Sequence, residues 1–125
     1  MIFEDIKNDF DLFEKETNIY TTYLVKDTKK YMENYKGIGC YTYITEEVEE
    51  NDDVVDCVRV NFLFNVYVSS KLLNSYDEIY KALEKFGFYD IKFMGTVREN
   101  FVNDDYNEPL CYNMAFSFYK LYYKD

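Results

Sequence analysis

The segment CVRVNFLFNVYV, Cys57 to Val68, alternates apolar and mixed positions through its whole length. In an extended chain Val58, Val60, Phe62, Phe64, Val66 and Val68 fall on one face. Cys57, Arg59, Asn61, Leu63, Asn65 and Tyr67 fall on the other. A helix would scatter the first six around its circumference, whereas a strand delivers all of them to one core. Their β-branched and aromatic character points the same way. A chain with such a strand needs sheet partners and something apolar to cover the Val/Phe face.

Partners are legible on both sides. GIGCYTYIT reads as a strand from about Ile38 to Thr45, joined to the central strand by EEVEENDD, which is too polar to bury. The pair is therefore an antiparallel hairpin with an acidic tip. NIYTTYLV reads as a short strand before it. KDTKKYMENYKG fits either a helical turn closed by Gly37 or a loop. Towards the end, Tyr89–Arg98 reads as a strand with Ile91, Phe93 and Val97 on one face and Gly95 as a bulge or close-approach point. After the polar loop ENFVNDDYNEP, a final strand from about Leu110 to Tyr122 puts Tyr112, Met114, Phe116, Phe118 and Tyr122 on one face.

Two amphipathic helices supply the cover. Ile2, Phe3, Ile6, Phe10 and Phe13 form one stripe, with the helix ending near Glu16 to Asn18. In NSYDEIYKALEKFG the stripe is Tyr76, Ile79, Tyr80, Leu83 and Phe86. Ser75 and Glu78 have capping-box spacing at its start, and Gly87-Phe88 is a helix-stop signal at its end. The expected fold is α+β, a twisted, mostly antiparallel sheet of four or five strands with two main helices packed on it, in the order α-β-β-β-α-β-β. The 125 residues read as one domain, enough to bury roughly two-thirds of the unfolded surface.

The composition excludes more chemistry than it suggests. The chain has no histidine, the commonest general base, and no GxSxG, P-loop or GxGxxG motif, so neither an enzyme nor a cofactor site is expected. Cys40, Cys57 and Cys111 are widely spaced, without a CxxC pair, and read as reduced thiols with at least two in strands. The acidic runs place Glu46, Glu47, Glu49, Glu50, Asp52 and Asp53 in one loop, and Asp104, Asp105 and Glu108 in another. Neither has EF-hand spacing, so both read as solvated surface and no metal site is expected. A net charge of −10 argues against direct nucleic-acid binding and against an anionic membrane surface. A carboxylate mimic of DNA is compatible with that charge. The opening MIFEDIKNDF carries acids where a secretory leader carries basic residues, and no apolar run approaches the roughly 20 residues of a membrane span.

The interaction surface is the most informative remainder. Among 15 Tyr and 11 Phe, several cannot face the Val/Phe core. Leu63 and Tyr67 in the central strand, and Tyr119, Leu121 and Tyr123 in the last, lie on positions that ordinarily face solvent. Either helices cover both sheet faces, or the tyrosines are simply exposed at a sheet edge, or an outer sheet face or edge is buried between subunits.

The run from the second helix through LEKFGF to the last strand CYNMAFSFYKLYY, preceded by VRVNFLFNVYVSS and by an N-terminal FEDIKNDFDLF helix, resembles phage tail terminator (tail-completion) proteins of the lambda tail-terminator type. That resemblance implies a non-enzymatic virion protein, assembled in the bacterial host cytoplasm. It implies a hexameric ring on the tail tube, with tail tube protein and a neck/head-connector protein as partners. Sheet edges and tyrosines would lie between subunits, with the acidic loops facing the lumen or a partner ring. The alternative from composition is a small acidic binding protein, a phage-encoded inhibitor of a host factor.

Overall fold

The computed structural model describes residues 2–24, 35–48, 57–69, 75–98 and 112–123. Within them the order is α1 (Ile2–Thr17), β1 (Ile19–Tyr23), β2 (Gly37–Val48), β3 (Cys57–Val68), α2 (Tyr76–Lys85), β4 (Tyr89–Arg98) and β5 (Tyr112–Tyr123). This is the expected α+β order. The strands form one sheet in the order β1-β2-β3-β5-β4. β1 runs parallel to β2 and every other pairing is antiparallel. β5 is thus inserted between β3 and β4, and the long central strand acquires a neighbour of equal length on each side.

Both helices pack on one face. Ile6, Phe10 and Phe13 of α1 and Ile79, Ala82 and Leu83 of α2 join the whole Val/Phe face of β3, together with Met114, Phe116, Phe118 and Tyr122 of β5. Phe10 sits at the centre. Its ring lies flat on Tyr41, with centroids 3.9 Å apart and planes 4° apart, and it meets the rings of Phe62, Phe64, Phe88 and Phe118 at 5.4–6.4 Å. Offset and edge contacts of this kind add to the area that each ring removes from water.

Helix ends follow local chemistry, with one correction. α1 stops as Asn18 turns left-handed at φ 58°, and the buried Thr17 hydroxyl donates to the Phe13 carbonyl (2.9 Å). At the end of α2, Gly87 takes φ 85°. Its N–H donates to the Glu84 carbonyl and the Phe88 N–H to the Leu83 carbonyl, both at 3.1 Å, which is the Schellman pattern. Phe88 is carried straight into the core. The capping box at the start of α2 does not form: Ser75 makes no side-chain cap hydrogen bond, and the Glu78 carboxylate accepts from Lys36 at 2.6 Å. An ammonium within reach competes better for a carboxylate than a neutral backbone N–H does.

Two further expectations change. Tyr76 and Tyr80 flank the buried stripe of α2 and stay exposed. In β4, Phe93 pairs with Phe116 on the helix side while Val97 pairs with Asn113 on the other side. The cause is the register shift between Phe93 and Gly95, where glycine adopts φ 115°; one extra residue flips every later side chain to the opposite face.

Gly39 carries a constraint beyond marking the start of a strand. A Cβ there would lie 2.4 Å from the Phe64 ring, which is fully buried and has no room to retreat. Gly39→Ala is expected to destabilise the fold by about 1–3 kcal/mol through overpacking, read as a lower urea midpoint. An unchanged midpoint would show that the ring relaxes freely.

Candidate functional site

Cross-strand register defines the sheet face opposite the helices. Residues directly paired share a face, so the rows on this side are Thr42–Leu63–Ser117–Lys92, Ile44–Asn61–Tyr119–Tyr89 and Glu46–Arg59–Leu121. The row Tyr20–Ile38–Tyr67–Asn113 lies further along. All five residues expected at an interface, Leu63, Tyr67, Tyr119, Leu121 and Tyr123, therefore lie on this one face. Neither helix reaches it among the described residues. Among the described residues the helices cover one face and not both.

The two ends of the face differ. At one end Ile38 and Cys40 are buried, packed with Tyr20 and Tyr67. Burial pushes the Cys40 thiol up to about 11. Towards the β2–β3 hairpin the face opens: Leu63 is 41% exposed, Ile44 73%, Tyr89 55% and Tyr123 65%, while Tyr119 and Leu121 are half-buried. Ile44 and Tyr89 were not singled out from sequence. Ile44 sits in a run of Thr and Tyr with no visible periodic signal, and Tyr89 reaches this face only through the β4–β5 register.

A polar line crosses the open part. The Arg59 guanidinium lies 3.9 Å over the Tyr119 ring, and its Nε donates to Asn61 Oδ1 at 3.0 Å. Asn61 Nδ2 in turn donates to Glu46 Oε1. The line holds Arg59 and Tyr119 in one geometry, and these two residue types dominate interface energetics when desolvated.

The acidic stretches are only partly placed. Glu46 and Glu47 belong to β2, not to a loop, because the hairpin ladder continues to Val48; they pair with Arg59 and Val58. Glu49, Glu50, Asp52, Asp53, Asp104, Asp105 and Glu108 lie outside the described residues. The strand ends flanking them are informative. Val48, Cys57 and Tyr123 stand at one end of the sheet, and Arg98, Tyr112 and Val68 at the other. These two sets of strand ends are roughly 35–40 Å apart along twelve-residue strands.

Both sheet edges are guarded. β1 is five residues long, and its Thr21 N–H is taken by the Glu14 carboxylate at 2.9 Å. β4 is broken by register shifts between Tyr89 and Lys92 and between Phe93 and Gly95, and its Lys92 and Arg98 are exposed. Short length, bulges and charge all discourage addition of a further strand.

On the helix side, one charged cluster is largely enclosed. Lys120 Nζ donates to Asp9 Oδ2 (2.9 Å) and to the Phe86 carbonyl (2.8 Å), and the Tyr122 hydroxyl donates to the same Asp9 oxygen (2.7 Å). It ties α1, the end of α2 and β5 together, with the ammonium at the negative end of α2. Burial, followed by the Asp9 hydrogen bond, holds the Tyr122 phenol well above the ordinary tyrosine range. Tyr41 is pushed up to about 12, mainly by burial with Tyr43, Asp11 and Tyr23 adding. Among the described residues no three candidate metal ligands converge.

No protein-family model matches the chain, and no curated protein matches it significantly.

The raised pKa values have a consequence for stability. At about pH 7 and below these thiol and phenol groups are neutral in both the folded and the unfolded chain and contribute no pH dependence. Above that range the unfolded chain releases protons that the folded chain retains, first at Cys40 between 9.0 and about 11, then from 10.0 upwards at Tyr41 and Tyr122 together, Tyr41 up to about 12 and Tyr122 further still. Stability should therefore fall as pH rises, by up to about 1.4 kcal/mol per pH unit for each group split in this way. Thermal melts across this range, followed with tyrosinate absorbance, should show Tyr122 ionising only on unfolding. Ionisation of every tyrosine near pH 10 without loss of structure would contradict this.

Proposed function

We propose that the chain is a structural component of a phage tail, a tail-terminator protein that assembles into a ring on the last tube ring and offers its other side to the neck or head connector. The reading is supported by the sequence resemblance and by one observation above all. The helix-free face collects Leu63, Tyr67, Tyr119, Leu121 and Tyr123, with Ile44 and Tyr89 beside them, and leaves its hairpin half open to solvent. A sheet exposed in this way has the aromatic and arginine composition of a surface that another subunit covers.

The guarded edges refine how such a ring would hold together. Side chains on the faces make the contact, and strand addition at β1 or β4 does not. In such a ring the acidic stretches would face the lumen or a partner ring. An acidic lining would repel passing DNA.

The test is assembly. Sedimentation and negative-stain microscopy of the purified protein, alone and with tail tube polymer, should give rings or capped tubes of arrested length. A monomer at every concentration, indifferent to tube protein, would overturn the proposal and favour the small acidic inhibitor.

A further inference from the structure

The outer face is not the chain's sole exposed apolar surface. On the helix side of the β4 edge, Tyr76 of α2 stacks on Phe93 of β4, with centroids 5.4 Å apart and planes 13° apart. Tyr80 lies one turn along α2 and Met94 next along β4, and all four side chains are exposed. Phe93 in turn leans on the core ring of Phe116 at 5.2 Å, which anchors the group. At about 150–250 Å² for a fully exposed large side chain, this patch leaves roughly 280–470 Å² accessible. Ile44, Leu63, Tyr89 and Tyr123 on the outer face leave roughly 350–590 Å² by the same measure.

Each patch is as large as the biggest apolar patch of a typical monomer, and they lie on opposite sides of the sheet. A two-fold dimer through either would bury that patch against itself and leave the other in water. Joined to each other in successive copies, both are covered, and the contact removes roughly 630–1,050 Å² from these eight side chains, at the lower margin of specific interfaces. A contact between two different patches is heterologous, and repeated it closes a ring or runs on as a filament. Strand addition does not supply this contact, since bulges and Lys92 guard the β4 edge.

We infer that the Tyr76–Phe93 patch of one copy docks on the Ile44–Tyr123 half of the outer face of the next, as the head-to-tail contact of a homo-oligomer. This rests on the assembly reading above and specifies which surfaces meet. The patches can be disabled separately at exposed positions, Ile44→Asp with Tyr123→Asp on one, and Tyr76→Asp with Met94→Asp on the other. Circular dichroism and thermal melts verify folding of each double variant.

Each variant alone should remain monomeric, with self-association weakened at least tenfold. Mixed in equal amounts, the two should form a one-to-one dimer that grows no further, because each retains the surface that the other lacks. Wild-type assembly by the Tyr76/Met94 variant, or no dimer in the mixture, would overturn the inference and leave the assembly reading standing. A wild-type protein that never associates would remove both.

Discussion

Phe10→Ala should cost about 3–5 kcal/mol, a large share of the 5–15 kcal/mol that holds a domain of this size together. The reason lies in what Phe10 touches. It is buried to 1% and meets rings from β2, β3, β5 and the segment after α2. Truncation opens a cavity among side chains that are themselves locked in place, so the site collapses poorly. Phe10→Leu retains apolar volume and forfeits mainly the flat contact with Tyr41, for about 0.5–1.5 kcal/mol. Phe3→Ala on the same helix removes a half-exposed ring that meets Tyr23 edge-on, and should cost less than about 1 kcal/mol. Urea titrations of the three variants give the ranking. A Phe10→Ala loss no greater than that of Phe3→Ala would show that α1 does not anchor the core.

The second large effect concerns charge. Lys120→Met leaves the Asp9 carboxylate, 16% exposed, with the Tyr122 hydroxyl but without its cation, and leaves the Phe86 carbonyl without its donor. Removing one member of a fully buried pair costs about 3–5 kcal/mol; with the partial exposure here, about 1–3 kcal/mol is expected. Adding Asp9→Leu to Lys120→Met should recover part of that loss, since no charge then remains unpaired. A double variant whose loss equals the sum of the two single losses would show that Asp9 and Lys120 act independently.

The elements themselves were legible because each rests on local physics. Period-two alternation in β3 and β5, the stripes of α1 and α2, and the Gly87-Phe88 stop are properties of a few consecutive residues. The five outer-face residues were legible for the same reason: alternation states which side chains oppose the core even before the partner strands are known. The misses share a physical cause. Glu78 turned away from Ser75 because Lys36, 42 positions back, offers it a charge. Val97 left the face of Phe93 because a bulge at Gly95 shifted its register. Tyr76 and Tyr80 have apolar bulk at helical spacing, and that spacing does not reveal that the sheet ends beside them.

What the residues dictated alone is therefore the inventory: two main helices and four or five strands in order, their apolar faces, and a set of tyrosines and leucines left over on the far side of the strands. Local propensity and solvent aversion suffice for that. The three-dimensional fold decided the rest: the insertion of β5 between β3 and β4, the gathering of both helices on one face, the burial of Lys120 against Asp9, and the meeting of Tyr76 with Phe93. Each of these depends on residues far apart in the chain. Their encounter is governed by how the sheet closes and twists, a property of the whole packed molecule and of no single segment.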